Sequence, residues 1–267
     1  MVETTMKNAP KEWKNMEDFS AGINENRYPA TKELAGTNFI FNSDDGSEKI
    51  TLELKADECA WSFKGESGTA TYEAIKVQEN TYFIDLVIKS EQGKTLTLIV
   101  NTKTYRAVAV YVYMLLKDLK PGETMVQWDH YVGTIEGGEA TGMVPHFSRD
   151  LIGEHAVYQY SPNHFYEHLY INSERFLWHC LHGEQKGHGA AEYAKVMKFQ
   201  ENNYILTWRE LLIPTGTCFF LDFTPGVYRS TGKFVGMHKD GTIANDPGGA
   251  HIQQICKEFY PKPFSPI

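Results

Sequence analysis

Cysteine is scarce in this chain of 267 residues, and the four that it has are far apart. Cys59, Cys180, Cys218 and Cys256 include no pair in CxxC spacing, so the pattern does not indicate a disulfide framework. We expect reduced thiols, three of them in or beside strands, and a cytoplasmic location.

Long apolar runs and an excess of positive charge are also missing. Residues 1–13 (MVETTMKNAPKEW) contain no apolar core of signal-peptide length, and no apolar run elsewhere approaches a membrane span. The 26 Lys and Arg residues against 34 Asp and Glu residues give a net charge of -8, without a basic stripe. These absences argue against nucleic-acid and membrane partners.

The chain resembles itself, and this internal repeat is the strongest signal in the sequence. Residues 72–84 (YEAIKVQENTYFI) match residues 193–205 (YAKVMKFQENNYI). Further pairs follow the same order: LAGT at 34 with LIGE at 151, a glycine at 93 with one at 216, and Tyr-Arg at 105 with Tyr-Arg at 228. Several matches at similar offsets predict a duplication.

Each copy consists of short apolar or alternating runs separated by turn residues, and aromatic residues make up 13% of the chain. This pattern predicts an all-β fold with two tandem antiparallel β-barrel units, each large enough to hold one small ligand. The predicted organisation is an N-terminal arm over 1–30, a barrel over 31–116, a connector rich in glycine and proline over 117–150, a second barrel over 151–240 and a C-terminal arm over 241–267. We expect the first copy to serve as structural support or as the surface of a homodimer.

Polar residues at strand positions distinguish the second copy from the first. When the copies are aligned on their shared glycines at 36 and 153, Tyr158 and Tyr160 replace a phenylalanine and a serine. When they are aligned on QEN, Glu210 lies opposite Ile88, and a longer turn over 182–189 adds His188. We therefore expect any chemistry to lie in the second copy.

Strand periodicity groups these residues further. Tyr158 and Tyr160 share one face of their strand, and Trp208 and Glu210 share one face of theirs. Among aromatic rings, burial would raise the pKa of Glu210 and favour proton transfer. The alternative is that Glu210 points to water near a strand end and that the tyrosines only pack.

The same residues carry a resemblance to a known family. The segments LIGEHAVYQY, YEHLYI and TWRELLIPTGTCFFLDFTPGVYRSTGKF resemble the phenolic acid decarboxylases, which have a Tyr-x-Tyr pair and a W-x-E followed by P-T-G-T. Here Leu211, Leu212 and Ile213 separate Glu210 from the P-T-G-T sequence. Over about 34–238, duplication included, the chain resembles the MoaF family (molybdenum cofactor biosynthesis protein F), most specifically in YINSERFLWHCLHGEQKG with TWRE. Both resemblances imply lipocalin-like (calycin) barrels.

The decarboxylase resemblance implies a site in which Tyr158 and Tyr160 engage a para-hydroxyphenyl substrate and Glu210 moves a proton, without a metal or an organic cofactor. The family's arginine is missing, since the corresponding turn has His188 after a glycine. Without a guanidinium to bind a carboxylate, decarboxylation loses support.

The MoaF resemblance brings an association with aromatic monoamines. We therefore expect a lyase that dehydrates a phenolic β-hydroxy amine through a quinone methide. His188 would assist as an acid, Glu167 would hold the ammonium group, and Trp178 and Trp208 would form walls of the pocket.

Three alternatives remain open from the sequence. The first is a non-catalytic small-molecule binding protein, which would not need a buried Glu210. Six histidines in the second copy would allow a metal site, although no motif of the HExxH kind occurs. The turn over 182–189 lacks the GK[ST] ending of a phosphate loop, so we interpret it as a lid. No Gly-rich phosphate loop supports pterin or molybdate handling.

Overall fold

The first of two barrels is formed by eight sequential antiparallel strands. The computed structural model describes residues 13–88, 93–115, 117 and 119–266. The strands are β1 (Asn38–Ser43), β2 (Lys49–Leu54), β3 (Glu58–Phe63), β4 (Glu66–Gln78), β5 (Thr81–Val87), β6 (Thr95–Asn101), β7 (Arg106–Met114) and β8 (Val126–Ile135). The barrel closes where β1 pairs with β8. This up-and-down order is that of lipocalin-like barrels.

The second barrel repeats this architecture. After a short β9 (His146–Phe147), its strands are β10 (Glu154–Ser161), β11 (His164–Asn172), β12 (Arg175–His182), β13 (Gly189–Gln200), β14 (Asn203–Arg209), β15 (Thr215–Asp222), β16 (Arg229–Met237) and β17 (Ile243–Lys257). Pairing of β10 with β17 and of β12 with β13 closes the ring, and β9 lies beside β13. The predicted fold of two tandem lipocalin-like barrels is therefore confirmed.

The duplication extends to individual backbone hydrogen bonds. Gly36 and Gly153 both adopt φ +85°, a left-handed conformation that suits glycine. Their N–H groups donate to carbonyl oxygens on the second strand of each barrel. The distances are 2.7 Å to Leu54 on β2 and 2.8 Å to Tyr170 on β11. The barrels thus begin with the same turn.

A second pair of equivalent turns lies before β7 and β16. Tyr105 and Tyr228 both have positive φ, 58° and 45°. Their carbonyl oxygens accept hydrogen bonds from the N–H groups of Ile135 (2.9 Å) and Ile252 (2.8 Å). Because non-glycine residues rarely adopt positive φ, its recurrence at matching positions supports a common origin of the two barrels.

The interior of the first barrel is apolar. Its strands direct residues such as Ile50, Leu52, Ile84, Leu86 and Leu98 inward, each fully buried. The hydrophobic cluster that they form fills the interior of this barrel.

Two segments that were predicted to be irregular contain strands that complete the barrels. Strand β8 lies in the predicted connector over 117–150, and β17 lies in the predicted C-terminal arm over 241–267. Without them, each predicted barrel would lack its eighth strand. Their glycines and a proline (Pro247 within β17) resemble loop composition, but barrel closure pairs these residues with neighbouring strands.

The N-terminal segment 13–27, predicted as part of an arm over 1–30, packs on the second barrel. It contains the short helix α1 (Met16–Phe19), in which Met16 and Phe19 are buried. The N–H of Asn26 donates to the Tyr160 carbonyl at 3.0 Å, and the N–H of Gly249 donates to the Ile23 carbonyl at 3.1 Å. The segment is therefore an integral part of that barrel's unit.

The chain path between the two units is interleaved. One unit contains residues 28–113 and 128–146, and the other contains the described parts of 13–27, 114–127 and 147–266. In the described part of the chain, no helix is long and apolar enough to span a membrane. A 3-10 helix, Lys262–Phe264, follows β17.

Candidate functional site

A small cavity lies inside the second barrel, with about 30 Å³ of free space. This is room for a water molecule or two, so a ring-shaped ligand requires side chains of the wall to move outward. Aromatic side chains dominate its wall, with a few polar groups between them. The lining residues are Phe19, Ile23, Tyr160, Tyr166, His168, Trp178, Gln185, Trp208, Glu210 and Phe234.

Four of the predicted site residues meet at this cavity: Tyr160, Trp178, Trp208 and Glu210. They come from β10, β12 and the end of β14, whose inward positions face one another across the barrel. Burial raises the pKa of Tyr160 far above its usual range, so its phenol stays protonated and can donate a hydrogen bond. Trp208 stacks on Phe219, with 5.3 Å between the ring centroids.

Glu210 is the buried carboxyl group of this site, and its side chain is only 6% exposed. Its Oε2 atom has no hydrogen-bond partner among the described residues. Burial raises the pKa of Glu210 well above its ordinary value, and the nearby carboxyl of Glu192 raises it further. Burial and the neighbouring carboxyl thus both favour the protonated form of Glu210, the form that can donate a proton into the cavity.

Glu192, on β13, is a buried carboxyl that the sequence did not single out. It is fully buried, and its Oε2 accepts a hydrogen bond from the Leu211 N–H at 2.8 Å. Burial raises its pKa to about 7. The repeat contained a signal for Glu192, because the alignment on QEN places it opposite Ala70. Ala70 is apolar and buried in the first barrel, so a glutamate at the equivalent position is unusual.

His168 is a second residue that sequence reasoning did not assign to the pocket. Its ring stacks on Tyr158 with 4.0 Å between the centroids, and it also contacts Phe176 and Trp208. Burial lowers its pKa to about 3, so the imidazole is neutral. Its Nδ1 atom has no described partner, which leaves a polar atom available at the cavity wall.

The turn over 182–189 contributes to the wall through Gln185. This side chain is 3% exposed, and its Oε1 accepts a hydrogen bond from the Tyr166 hydroxyl at 3.0 Å. Burial raises the pKa of Tyr166 far above its usual range. The turn interpreted as a lid therefore places the neutral amide of Gln185 beside the cavity, where it is bound to the phenol of Tyr166 on β11.

Two predicted residues lie near the cavity without lining it. The Tyr158 hydroxyl is hydrogen-bonded to that of Tyr170 at 2.9 Å, and Tyr158 is separated from the cavity by His168, on which it stacks. The ring of His188 packs against Trp13, with 4.9 Å between the centroids. Trp13 also contacts Trp178, so His188 lies behind the aromatic wall.

Glu167 lies on the opposite face of β11 from Tyr166 and His168. Its carboxylate is bound by His179 Nδ1 at 2.6 Å and by His155 Nε2 at 2.9 Å. Contact with these histidines lowers the pKa of Glu167. The structure thus places Glu167 away from the cavity, where it cannot hold a ligand's ammonium group, because side chains alternate between the faces of a strand.

The six histidines between residues 155 and 188 of the second copy are dispersed over different environments. His168 faces the cavity, His155 and His179 bind Glu167, and His164 is hydrogen-bonded to Ser161 at 2.8 Å. In the described ranges, no three His, Cys, Asp or Glu side chains are arranged to hold a metal ion.

The fold and the cavity define a class of protein: a duplicated lipocalin-like barrel whose second copy encloses an aromatic pocket with a buried carboxyl group. Comparison with known proteins matches residues 11–114 to the MoaF N-terminal domain and residues 145–258 to the MoaF C-terminal domain. The chain is also 30% identical over 233 residues to Protein MoaF of Klebsiella aerogenes, covering 83% of this chain and 86% of that protein. The chain belongs to the MoaF family.

Proposed function

We propose that the second barrel binds a small phenolic molecule and acts as a cofactor-independent lyase in which Glu210 transfers the proton. The observation that carries the proposal is the Glu210 carboxyl, buried in a cavity of aromatic rings with one oxygen unpartnered among the described residues. A carboxyl whose pKa is raised by burial beside a ligand cavity is suited to general acid catalysis.

The charges of the wall favour dehydration over decarboxylation. Among the described residues that line the cavity, none is a lysine or an arginine. A substrate carboxylate would enter without a cationic partner and close to two carboxyl groups, which is unfavourable in a buried site. A neutral phenol avoids that cost, and the ammonium group of a phenolic amine has a charge opposite to that of a carboxylate, so a para-hydroxyphenyl compound with a benzylic hydroxyl is the best-supported substrate class.

The reaction balances with Glu210 as the only proton carrier. Glu210 donates its proton to the benzylic hydroxyl, the carbon–oxygen bond breaks with both electrons leaving on oxygen, and water departs. The remaining cation is a protonated quinone methide, stabilised by the phenolic oxygen. The Glu210 carboxylate then removes a proton from the adjacent carbon, which forms a double bond and restores the acid. From a β-hydroxy amine the product is an enamine, which hydrolyses to an aldehyde and an amine.

The neighbouring side chains would hold the phenolic end of the substrate. The protonated hydroxyls of Tyr160 and Tyr166 and the neutral imidazole of His168 can donate or accept hydrogen bonds without adding charge. A hydrogen bond from the substrate's phenol to one of these groups would assist the formation of the quinone methide. The rings of Trp178 and Trp208 would cover the faces of the substrate.

The test is turnover and a ligand-dependent melting shift with octopamine, synephrine, tyramine and p-coumarate. We expect the phenolic amines to raise the melting temperature, since a ligand at 100 times its Kd adds about 2.7 kcal/mol of stability. We expect a carbonyl product only from octopamine and synephrine, and a loss of about 100-fold or more in Glu210→Gln. The matched control is Glu154→Gln, because Glu154 is buried but does not line the cavity. Absence of carbonyl product from both hydroxyl-bearing amines would exclude the dehydratase.

Binding without turnover is the second candidate, and the placement of Tyr158 favours it. Tyr158 is hydrogen-bonded to Tyr170 and leaves Tyr160 as the one member of the tyrosine pair at the cavity wall. A melting shift with tyramine equal to that with octopamine, with no product and no effect of Glu210→Gln on either, would support a binding protein.

A further inference from the structure

Two buried carboxyl groups face each other across neighbouring strands at one end of the cavity. The β13–β14 register pairs Tyr193 with Arg209, so the next pair along is Glu192 and Glu210. Side chains at directly opposed positions have Cβ atoms about 5 Å apart. The hydrogen bond from the Leu211 N–H to Glu192 Oε2, at 2.8 Å, confirms that the Glu192 carboxyl lies next to the backbone of Glu210.

The two groups have unequal environments. Glu192 has a backbone N–H donor and the positive charge of Arg175 from β12 acting on it, both of which favour its ionised form. Glu210 has neither of these interactions; only the Trp208 side chain favours its ionised form, and its Oε2 has no described partner. Two carboxylates sharing a buried site cannot both ionise without a large cost. Above about pH 7, where Glu192 ionises, the pair therefore holds one proton, and these environments favour Glu210 as its site.

The other titratable side chains that line the cavity with Glu210 are electrically neutral. They are Tyr160 from β10 and Tyr166 and His168 from β11. Burial keeps both phenols protonated and the imidazole unprotonated. The charged groups at the pair are therefore the Glu192 carboxyl, which acts on Glu210, and Arg175, which acts on Glu192.

The pair is also a feature of the second barrel alone. Alignment on QEN places Ala70 and Ile88 of the first barrel opposite Glu192 and Glu210, and both apolar residues are buried. At both positions of this cross-strand pair, the second barrel has a glutamate where the first barrel has an apolar residue. A single buried glutamate would require only one of these two differences.

We propose that Glu192 is the positioning residue for the Glu210 proton: as the anion of the pair, it keeps the proton on Glu210 until a ligand reacts, and it makes the Glu210 carboxylate a stronger base afterwards. The proposal rests on the proposed function for its role in turnover, but the pairing itself does not require a substrate. After Glu210 donates its proton to the leaving hydroxyl, two adjacent anions remain in the cavity. Their repulsion favours removal of the substrate's carbon-bound proton by Glu210.

The test is a carboxyl titration by 13C NMR of ligand-free protein labelled at glutamate, with Glu192→Gln and wild type measured together. Glutamine keeps the oxygen that accepts the Leu211 N–H but removes the charge. We expect the pKa of Glu210 to fall by more than about one unit, because the loss of a strongly interacting neighbour uncouples the pair. Glu154→Gln, at another buried glutamate, should leave the Glu210 titration at its wild-type position.

Glu210→Gln provides the reciprocal measurement if Glu192→Gln does not fold. Coupling between two sites is mutual, so the pKa of Glu192 should then fall below its wild-type position of about 7. Unchanged titration of the remaining glutamate in whichever variant folds would overturn the pairing. If the pairing holds but no tested amine or phenol is turned over, the proposed function fails while this assignment of the proton stands.

Discussion

His168 illustrates how a single buried residue sets the pH dependence of stability. Its pKa is about 3 in the folded protein and near 6.5 when exposed, so the unfolded state binds a proton that the folded state excludes. The free energy of unfolding that depends on this group is fully present above about pH 6.5. It is lost as the pH falls towards 3, by about 1.4 kcal/mol for each pH unit. We expect His168→Phe, which keeps a ring against Tyr158, to lose less stability than wild type between about pH 7 and pH 5 in urea unfolding.

His182 provides the control for this comparison because it lies on the same barrel but is exposed. His182→Phe should retain the wild-type loss of stability on acidification. Equal pH dependence of the His168→Phe variant and the wild type would show that His168 is not held neutral by burial.

At the residue scale, the sequence predicted the pocket residues that follow from periodicity and from comparison of the copies. Tyr160, Trp178, Trp208 and Glu210 line the cavity. Glu192 was missed because the pairing register of β13 and β14 depends on turn geometry. Glu167 was expected in the pocket, although the alternation that places Tyr166 and His168 inward necessarily directs Glu167 outward.

Barrel closure, at the scale of strands, depends on a close approach at Gly133 of β8. A Cβ atom at this position would lie 2.1 Å from the Asn42 carbonyl oxygen and 2.8 Å from the Phe41 ring. We expect Gly133→Ala to displace β8 from β1 and destabilise the first barrel by about 3 kcal/mol. Circular dichroism during urea unfolding would measure the loss.

Gly68→Ala is the matched control in the same barrel. A Cβ at Gly68 would meet the Trp61 ring at 3.6 Å, an ordinary contact, and the residue has no positive φ. Stability of Gly133→Ala equal to that of Gly68→Ala would contradict the closure by β8.

The same strand explains why the connector was predicted to be a loop. Glycines that permit close packing of strands are indistinguishable, by composition, from glycines of turns.

On the scale of the whole molecule, the cavity of the second barrel depends on residues from the beginning of the chain. Phe19 and Ile23 line it, and Lys239 binds Asp18 at 2.7 Å. We expect removal of residues 1–27 to destabilise the second barrel by roughly 5 kcal/mol or more, since three large apolar side chains (Met16, Phe19 and Ile23) leave its core. Hydrogen exchange should show lost protection in β10–β17, while β1–β7 retain theirs.

A synthetic peptide of residues 13–27 should restore protection when added to the truncated protein. The control peptide carries Phe19→Ser and Ile23→Ser and should not restore it. If the truncated protein keeps full protection in β10–β17, the N-terminal segment does not contribute to that core. The predicted domain bounds could not reveal this dependence, because residues 13–27 are separated from the second barrel by the whole of the first.

The interleaved chain path has a consequence for synthesis on the ribosome. Phe19 and Ile23 emerge long before β10, which begins at Glu154. At 5–20 residues per second, the delay is on the order of ten seconds. During this time all eight strands of the first barrel emerge, β8 (Val126–Ile135) last, while the apolar segment 13–27 has no second barrel to pack on. The nascent protein therefore passes through a stage in which its own first residues are a target for chaperones.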